Sequence, residues 1–170
     1  MKGITKIWKK IVDFFRRSVV MEDIIVGFQK LHENAVLPTC ANPGDAGLDL
    51  VVTSLIENDE YSFYEYGTGL AVEIPKGYVG LIYPRSSISK KNIYLTNGVG
   101  VIDSGYRGEI KFRFKPDISP SSKVDRYKVG DKIGQLMIVP YPTVIPTWKK
   151  TLTNTERGEG GFGSSDKTNE

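Results

Sequence analysis

The side chains of this sequence that could carry chemistry are carboxylates, arginines and hydroxyls. The chain has 170 residues with one histidine, His32, and one cysteine, Cys40. A zinc site built from clustered histidines and cysteines needs more of these residues than the chain holds. The same scarcity argues against Cys–His and Ser–His–Asp nucleophilic catalysis. Any reaction is therefore expected to use carboxylates, arginine, backbone amides or a hard cation.

A phosphate site is indicated by Arg85, Ser86 and Ser87, which follow the apolar run of residues 78–83. An arginine and two hydroxyls at the junction of a strand and a short helix place hydrogen-bond donors and a positive helix end together. The serines are also competent caps, so a simple capped turn is the alternative. The residue types alone do not decide between the two.

A second candidate is the segment of residues 97–108, NGVGVIDSGYRG in one-letter code. A strand, an aspartate, a glycine-containing turn and a second strand predict a hairpin with Asp103 and Tyr106 at its mouth. Aspartate is also common in turns for conformational reasons, so the segment alone does not assign a role to Asp103.

Two polar residues interrupt apolar strands. Asp49 lies within AGLDL, residues 46–50, and Gln135 lies within GDKIGQL, residues 130–136. A carboxylate in an apolar strand either faces solvent or is held by a partner, for which Arg85 is suitable. For Gln135 the simpler explanation is the ordinary alternation of a half-buried strand.

The last stretch, residues 153–170, is dominated by glycine, serine, threonine and charged residues. Its composition predicts a mobile arm, for which a disordered tail is the simplest interpretation. Residues 158–163, GEGGFG, formally match the dinucleotide-binding fingerprint, but only seven residues follow, too few for the helix that the fingerprint requires. The segment would instead suit closure over a phosphorylated ligand with a stackable base. The groups available for this are those of Arg157, Phe162, Ser164 and Ser165.

These residues have to be positioned by a body of short strands. From residue 23 onward, runs rich in valine, isoleucine, tyrosine and phenylalanine are separated by glycine, proline, asparagine and aspartate. The clearest run is residues 109–114, where apolar and charged residues alternate with the period of a half-buried strand. With one short helix near Ser86 or Ser87, the spacing predicts a mainly β domain of the sandwich, jelly-roll or barrel type. The other predicted strands are residues 24–28, 48–52, 70–74, 78–83, 99–102, 132–139 and 144–148.

The first 20 residues differ from the body. They hold six basic residues and one acidic residue, a net charge of +5, whereas the other 17 basic and 19 acidic residues leave −2. Their apolar residues recur at helical spacing, which predicts a basic amphipathic helix. Three interpretations stay open: a helix that binds a membrane surface or a partner, a helix docked on the domain, and an upstream extension of a protein that starts at Met21. The mildly acidic body does not indicate binding of nucleic acid.

The predicted organisation is an extension of residues 1–20, a β domain of residues 21–152 and a C-terminal arm of residues 153–170. A chain of this size needs no disulfide or metal to fold. The extension is too interrupted by charge to span a bilayer, and it lacks the cleavage site of a signal peptide. Location in the cytoplasm is the default expectation, and a targeting role for the extension is the alternative.

Taken in order, the motifs resemble those of one family. AGLDL, PRSS, NGVGVIDSGYRGEI, GDKIGQL and RGEGGFGSS follow one another as the five motifs of the trimeric dUTP diphosphatase (dUTPase) family do. The similarity extends from about Met21 to Ser165. It implies a β-clip fold, similar to a distorted jelly roll, and a homotrimer with three active sites at subunit interfaces.

The resemblance also implies a reaction in which dUTP and water give dUMP and pyrophosphate, with Mg²⁺ on the triphosphate. This reaction keeps uracil out of DNA and supplies dUMP for dTMP synthesis. Asp103 would activate the water that attacks the α-phosphorus, and Asp49 would organise Arg85 and, through water, the metal. The implied substrate-binding residues are Arg85, Ser86, Ser87, Asn97, Val101, Ile102, Asp103, Tyr106, Lys111, Gln135, Arg157, Phe162, Gly163 and Ser164.

Within that set, the resemblance implies four groups. Asn97 and the backbone around Val101, Ile102 and Lys111 would read uracil and leave no room for a 5-methyl group. Tyr106 would stack under the deoxyribose and exclude a 2′-hydroxyl. The phosphates would be held by a third group, Arg85, Ser86, Ser87 and Gln135. A fourth group would close over the site from another subunit, and it consists of Arg157, Phe162, Gly163 and Ser164.

Two alternatives remain beside this function. The dCTP deaminases resemble dUTPases, but deamination needs a glutamate in the strand after the hairpin, where this chain has Arg113. A non-catalytic nucleotide-binding or regulatory module is the other alternative, although every catalytic position matches. The chain departs from the family pattern at Gly134, where alanine is usual, at Ser165, where threonine is common, and in residues 116–125 and 1–20.

Overall fold

Ten strands and one short helix make up the described part of the computed structural model, which is residues 23–117 and 125–162. A 3₁₀ helix, Ser86–Lys90, follows the sixth strand. The chain is mainly β, as the sequence predicts. The strands are β1 (Gly27–Lys30), β2 (Leu48–Val51), β3 (Ser54–Asn58), β4 (Phe63–Gly67), β5 (Leu70–Glu73), β6 (Tyr78–Pro84), β7 (Ile93–Leu95), β8 (Gly100–Ile102), β9 (Lys111–Pro116) and β10 (Lys132–Pro140).

Two four-stranded antiparallel sheets carry the fold. One has the order β2-β10-β6-β8 and the other β3-β4-β9-β7, while β1 and β5 form a separate pair. In the first sheet Asp49 of β2 lies opposite Gln135 of β10, which lies opposite Tyr83 of β6. Residues that are distant in the sequence therefore meet at one end of this sheet.

Side chains from both sheets form one hydrophobic core. Leu50, Ile82 and Leu136 of the first sheet belong to the same cluster as Phe112 and Phe114 of the second. Each of the five is at most 3% exposed. Burial of one such side chain contributes about 1.5–3 kcal/mol, so this cluster is the main stabilising contact between the sheets.

Gly134 marks a close approach of the two sheets. A Cβ at this position would collide with the ring of Phe112 and lie 2.7 Å from the carbonyl oxygen of Tyr83. Phe112 is fully buried, so its ring has no free space into which to move. The bulk of Phe112 therefore requires a residue without a Cβ at position 134.

The strand β9 presents two different faces. Phe112 and Phe114 are fully buried, whereas Lys111 and Arg113 alternate with them on the opposite face. This confirms the half-buried strand predicted from residues 109–114, although the strand begins and ends two residues later. The charged face of β9 is therefore available to line a site.

Some of the predicted strands differ from the observed ones. The strand predicted at residues 24–28 is displaced to β1, and the one predicted at 144–148 is wrong. Val144, Ile145 and Trp148 are 76%, 82% and 103% exposed, and no strand in the described residues pairs with them. An apolar run becomes a strand only where a neighbour accepts its backbone hydrogen bonds. The strands β3, β4 and β7 are not predicted from the sequence.

The predicted hairpin of residues 97–108 is wrong in its pairing. β8 pairs with β6, whereas β9 pairs with β4 and β7, so the two strands lie in different sheets. The connection crosses between the sheets and is anchored where the Ile110 amide donates to the Leu70 carbonyl oxygen at 2.8 Å. Because β8 and β9 diverge, a space opens between them.

Several predictions lie outside the described residues. They concern the helix of residues 1–20, Gly163, Ser164 and Ser165 of the arm, and most of the loop of residues 116–125. Within residues 23–117 and 125–162, no helix has the length and apolar character needed to cross a membrane.

Candidate active site

A cavity of about 440 Å³ lies where β8 and β9 diverge, and we call it the β8–β9 cavity. Its volume is within the range of small-molecule sites. Six of the predicted site residues line it, so the structure brings them together. The lining residues are Glu65, Thr96, Asn97, Val101, Ile102, Asp103, Tyr106, Glu109, Lys111 and Arg113.

Tight turns position the polar groups of this cavity. Gly98 has a φ of +66°, a conformation that favours glycine, and its amide donates to the Leu95 carbonyl oxygen at 3.1 Å. This turn places Asn97 at the cavity. The Tyr106 amide donates to the backbone carbonyl of Asp103 at 3.0 Å, and the Tyr106 hydroxyl donates to the Glu109 carbonyl oxygen at 3.0 Å.

The Tyr106 ring is also fixed by its neighbour Gly108. A Cβ at Gly108 would collide with the ring, so the glycine allows the tyrosine to lie against the backbone. Tyr106 remains 43% exposed and offers a flat aromatic surface to a ligand in the cavity.

The Asp103 carboxylate has neither an ion-pair partner nor a hydrogen-bond donor among the described residues. The other charged side chains of the cavity are paired: Glu65 with Lys111 at 2.8 Å and with Arg113 at 2.7 Å. Glu109 also accepts a hydrogen bond from the Gly69 amide at 2.7 Å. Asp103 is therefore the carboxylate in this cavity that is free to take a proton or to orient a water molecule.

The ion pair between Glu65 and Lys111 shifts the pKa values of both residues. The hydrogen bond from Lys111 lowers the pKa of Glu65 more than burial raises it, and Arg113 lowers it further. The same hydrogen bond raises the pKa of Lys111. Both groups are therefore charged near neutral pH.

A second cavity, of about 370 Å³, lies at the end of the first sheet, and we call it the Arg85 cavity. Four predicted site residues line it: Asp49, Arg85, Ser86 and Gln135. The remaining lining residues are Ala41, Asp45, Ala46, Gly47 and Met137.

A buried carboxylate organises the Arg85 cavity. Asp49 is 9% exposed, and its two oxygens pair with Arg85 Nε at 3.1 Å and with Lys132 Nζ at 2.7 Å. Asp49 is thus held by Arg85, as the sequence suggested, and by a second cation that the sequence analysis does not name. Because Nε is the atom that pairs, the terminal guanidinium nitrogens of Arg85 are left to face a ligand.

The two serines after Arg85 have different surroundings. Ser86 lines the Arg85 cavity, and its carbonyl oxygen accepts a hydrogen bond from the Ser89 hydroxyl at 3.0 Å. Ser87 neighbours the buried Tyr127: burial raises the pKa of the Tyr127 phenol, and the Ser87 hydroxyl partly opposes that rise. Ser87 does not line the cavity in this chain.

The two cavities have no lining residue in common, so one described chain does not join them. The described part of the arm, residues 153–162, lines neither cavity. Arg157 Nε donates to the Gly160 carbonyl oxygen at 2.9 Å, and Phe162 is fully exposed. Gly163 and Ser164 lie outside the described residues.

Three residues of these sites are missed by the sequence analysis. Glu65 is a single charge within an aromatic run, Lys132 is one basic residue of the GDKIGQL motif, and Tyr127 precedes that motif. Only Lys132 has a signal in the sequence, since a cation between a turn and an apolar strand is a candidate partner for Asp49.

Comparison with known proteins decides the family. A family model described as dUTPase matches residues 33–166, which include both cavities and most of the arm. The chain belongs to the dUTPase family.

Curated relatives of this dUTPase family member are named deoxyuridine 5′-triphosphate nucleotidohydrolase. The protein from Gloeobacter violaceus is 38% identical over 148 residues, covering 85% of this chain and 99% of the relative. The protein from Hydrogenobaculum sp. is 40% identical over 139 residues, covering 81% and 94%. The resemblance found in the motif order is thereby confirmed.

Solved dUTPase structures share the fold. The dUTPase of Staphylococcus bacteriophage 80alpha with dUPNHPP matches with a TM-score of 0.70 and 28% identity, covering 84% of this chain and 99% of the phage chain. A mutant dUTPase from phage phi11 of S. aureus, described for the coordination of a structural Mg(II) ion, matches with a TM-score of 0.63 and 26% identity, covering 77% and 100%. The predicted dUTPase fold class is confirmed.

Proposed function

We propose that this chain hydrolyses dUTP to dUMP and pyrophosphate. The observation that carries the proposal is the carboxylate of Asp103, which has no partner among the described residues and lines a cavity of about 440 Å³ beside the aromatic surface of Tyr106. Membership of the dUTPase family and the names of the relatives support the same reaction. The consequence for the cell is removal of dUTP before it enters DNA and a supply of dUMP for dTMP synthesis.

In the proposed mechanism Asp103 accepts a proton from a water molecule. The water oxygen bonds to the α-phosphorus, and in line with it the bond from the α-phosphorus to the bridging oxygen breaks, releasing pyrophosphate. A carboxylate suffices as base because phosphoryl transfer depends mainly on positioning and charge stabilisation. The free state of Asp103 among the described residues supports this assignment.

Recognition of the base is assigned to the diverging strands. β8 is an edge strand of its sheet, and β9 pairs with β7 only from Phe114 onward, so both strands have backbone groups near the cavity. Together with Asn97, the backbone of Val101, Ile102 and Lys111 would pair with the uracil edge. Tyr106 would lie under the deoxyribose, where a 2′-hydroxyl would disturb the contact.

The triphosphate is assigned to the Arg85 cavity. Asp49 fixes Arg85 through Nε, and Ser86 and Gln135, which line the same cavity, would add donors. Arg85 and Lys132 only balance the charges of Asp45 and Asp49 there, so a triphosphate needs a further cation.

Mg²⁺ fits this requirement. Oxygen donors of Asp45, Asp49 and Gln135 line the Arg85 cavity, and such hard donors suit magnesium. Both oxygens of Asp49 are already paired, which favours an indirect role for Asp49 through water. When bound, Mg²⁺ would neutralise charge on the phosphate oxygens, and Asp49 would orient its water shell.

We also propose that the active enzyme is a homotrimer. The two cavities do not meet in one chain, and residues 141–162 expose Val144, Ile145, Trp148, Leu152 and Phe162. Exposed apolar residues of this number are typical of a segment that packs against another chain. In the trimer, the arm residues Arg157, Phe162, Gly163 and Ser164 of a further copy would close over the nucleotide.

The test is pyrophosphate release from dUTP, dTTP, dCTP and UTP with Mg²⁺, with ammonia measured in the same samples. We expect dUTP to be preferred by kcat/KM at least about 100-fold, because a site built to pair with uracil leaves its polar groups unpaired with other bases. Absence of turnover by a folded trimer would favour a regulatory nucleotide-binding module. Ammonia from dCTP would favour deamination.

The buried glutamate that lines the β8–β9 cavity, Glu65, is poorly suited to act as the general acid and base of a deaminase. Glu65 lies on β4, opposite Arg113, and both of its oxygens are paired with cations. A general acid and base has to exchange protons with the substrate, which a doubly paired carboxylate with a lowered pKa does poorly.

Residues 1–20 are proposed to bind anionic membrane surfaces, since their basic residues accompany apolar residues at helical spacing. The full chain is expected to sediment with phosphatidylglycerol vesicles but not with phosphatidylcholine vesicles, and a chain that begins at Met21 with neither. Equal sedimentation of the two chains would contradict the proposal.

The division of the chain into a β domain of residues 21–152 and an arm of residues 153–170 stays a prediction, and so does a location in the cytoplasm.

A further inference from the structure

One wall of the β8–β9 cavity holds a charged cluster that the proposed reaction does not use. The Glu65 side chain is 11% exposed, and its Oε1 accepts a hydrogen bond from Lys111 Nζ at 2.8 Å. Its Oε2 accepts a hydrogen bond from Arg113 Nε at 2.8 Å and lies 2.7 Å from Arg113 Nη2. Both oxygens of this nearly buried carboxylate are therefore occupied by cations of β9.

The two cations themselves reach the cavity. The side chains of Lys111 and Arg113 are 41% and 57% exposed, and both line the cavity. Arg113 is held further by its position 4.8 Å from the centre of the Phe63 ring. Lys111 Nζ also lies 3.8 Å from a carboxylate oxygen of Glu109. Each cation is accessible to a ligand but is tethered to the wall.

The charges of this wall affect which end of a nucleotide enters the cavity. The lining residues include three carboxylates and two cations, so the cavity carries a formal charge of −1 with Glu65 and zero without it. Without Glu65, the guanidinium of Arg113 would have no carboxylate partner within residues 23–117 and 125–162. An unpaired arginine beside a lysine is a preferred binding site for phosphate.

We propose that Glu65 is a positioning residue that sets the orientation of the bound nucleotide. By pairing with Lys111 and Arg113, it prevents these cations from binding the triphosphate in the β8–β9 cavity. The uncharged base is thus favoured beside Lys111 and Arg113, and the phosphates are directed away from this wall toward the Arg85 cavity. This inference rests on the proposed function, because it assumes that the base occupies the β8–β9 cavity.

The test measures binding of inorganic tripolyphosphate by calorimetry in a protein that carries Arg85→Gln. This substitution removes the main phosphate-binding side chain of the Arg85 cavity. Adding Glu65→Gln is expected to tighten tripolyphosphate binding about tenfold or more, the effect of one freed charge-assisted contact. Further addition of Arg113→Gln should reverse the gain. Unchanged affinity in the folded Arg85→Gln/Glu65→Gln protein would overturn the proposal.

A matched control is Glu73→Gln in the same background. Glu73 pairs with Arg107 at 3.1 Å but does not line the β8–β9 cavity, so its substitution should leave the affinity for tripolyphosphate unchanged. A gain as large as that of Glu65→Gln would mean that net charge alone is responsible and would overturn the proposal.

A second variant covers the case in which Glu65→Gln does not fold. Arg113 is half exposed, and as a single substitution Arg113→Gln should leave the affinity for tripolyphosphate within about twofold, because Glu65 already occupies its guanidinium. A larger loss would show that Arg113 binds phosphate in the unaltered protein, against the proposal. Hydrolysis of dUTP by the unaltered protein is measured in parallel, so a failure of the proposed function is recognised separately.

Discussion

Substitution of Asp103 by asparagine is expected to lower kcat for dUTP hydrolysis by about 10³-fold, the usual contribution of a positioned general base. Asparagine has nearly the same shape, so the turn from Asp103 to Tyr106 should keep its backbone hydrogen bond. The change removes one negative charge that has no partner among the described residues. KM for dUTP should therefore change little, and folding should be unaffected.

The measurement is steady-state pyrophosphate release, with thermal unfolding as the check on folding. Asp59→Asn is a suitable control, because Asp59 is exposed in the turn between β3 and β4 and undergoes the same chemical change. It should retain full activity. An Asp103→Asn protein within tenfold of the control would refute the role of Asp103 as base.

Removal of residues 157–170 is expected to reduce turnover by about 10²-fold or more while leaving the oligomer intact, since a closing segment excludes water and completes the site. The described part of the removed segment, residues 157–162, lines neither cavity within its own chain. Size-exclusion chromatography and kcat for dUTP are the measurements. A truncated protein with unchanged kcat would mean that the arm has no part in catalysis.

Co-expression of the truncated chain with Asp103→Asn extends this test to the sharing of sites. If Asp103 and the arm of one site come from different copies, random trimers of two inactive chains should regain about one quarter of the activity. If both come from one copy, every site lacks one of them, and the mixture stays inactive. The two chains need different tags so that mixed trimers, each with one complete site out of three, can be purified. An inactive mixed trimer would contradict the proposed arrangement.

The sequence predicts the fold best where a strand has one buried and one exposed face. In β9 the alternation around Phe112 and Phe114 is visible because every second residue is charged. The prediction fails for residues 144–148, because a strand depends on a partner that local composition does not specify. It also fails for the pairing of β8 and β9, because the turn residues do not reveal that the chain crosses to another sheet.

In the candidate site too, residues that stand out within a local motif are predicted from the sequence, whereas residues that depend on strand pairing are not. Asp103, Tyr106, Arg85 and Asp49 are found from motifs, because their residue types interrupt glycine-rich or apolar segments. Glu65 is not found, because its importance arises from the register that places it opposite Arg113, 48 residues later in the chain. Cross-strand register of this kind depends on the whole sheet and leaves no mark near either residue.

The close packing of Gly134 against Phe112 has a consequence for exchanging segments between relatives. A motif copied from a protein with alanine at this position would bring a methyl group into the space that the Phe112 ring fills. The motif that supplies Gln135 to the Arg85 cavity therefore cannot be replaced by the corresponding segment of such a relative without a clash. Chimeras of this chain will have to transfer residue 134 and residue 112 as a pair, although the two lie on different strands, β10 and β9, and in different sheets.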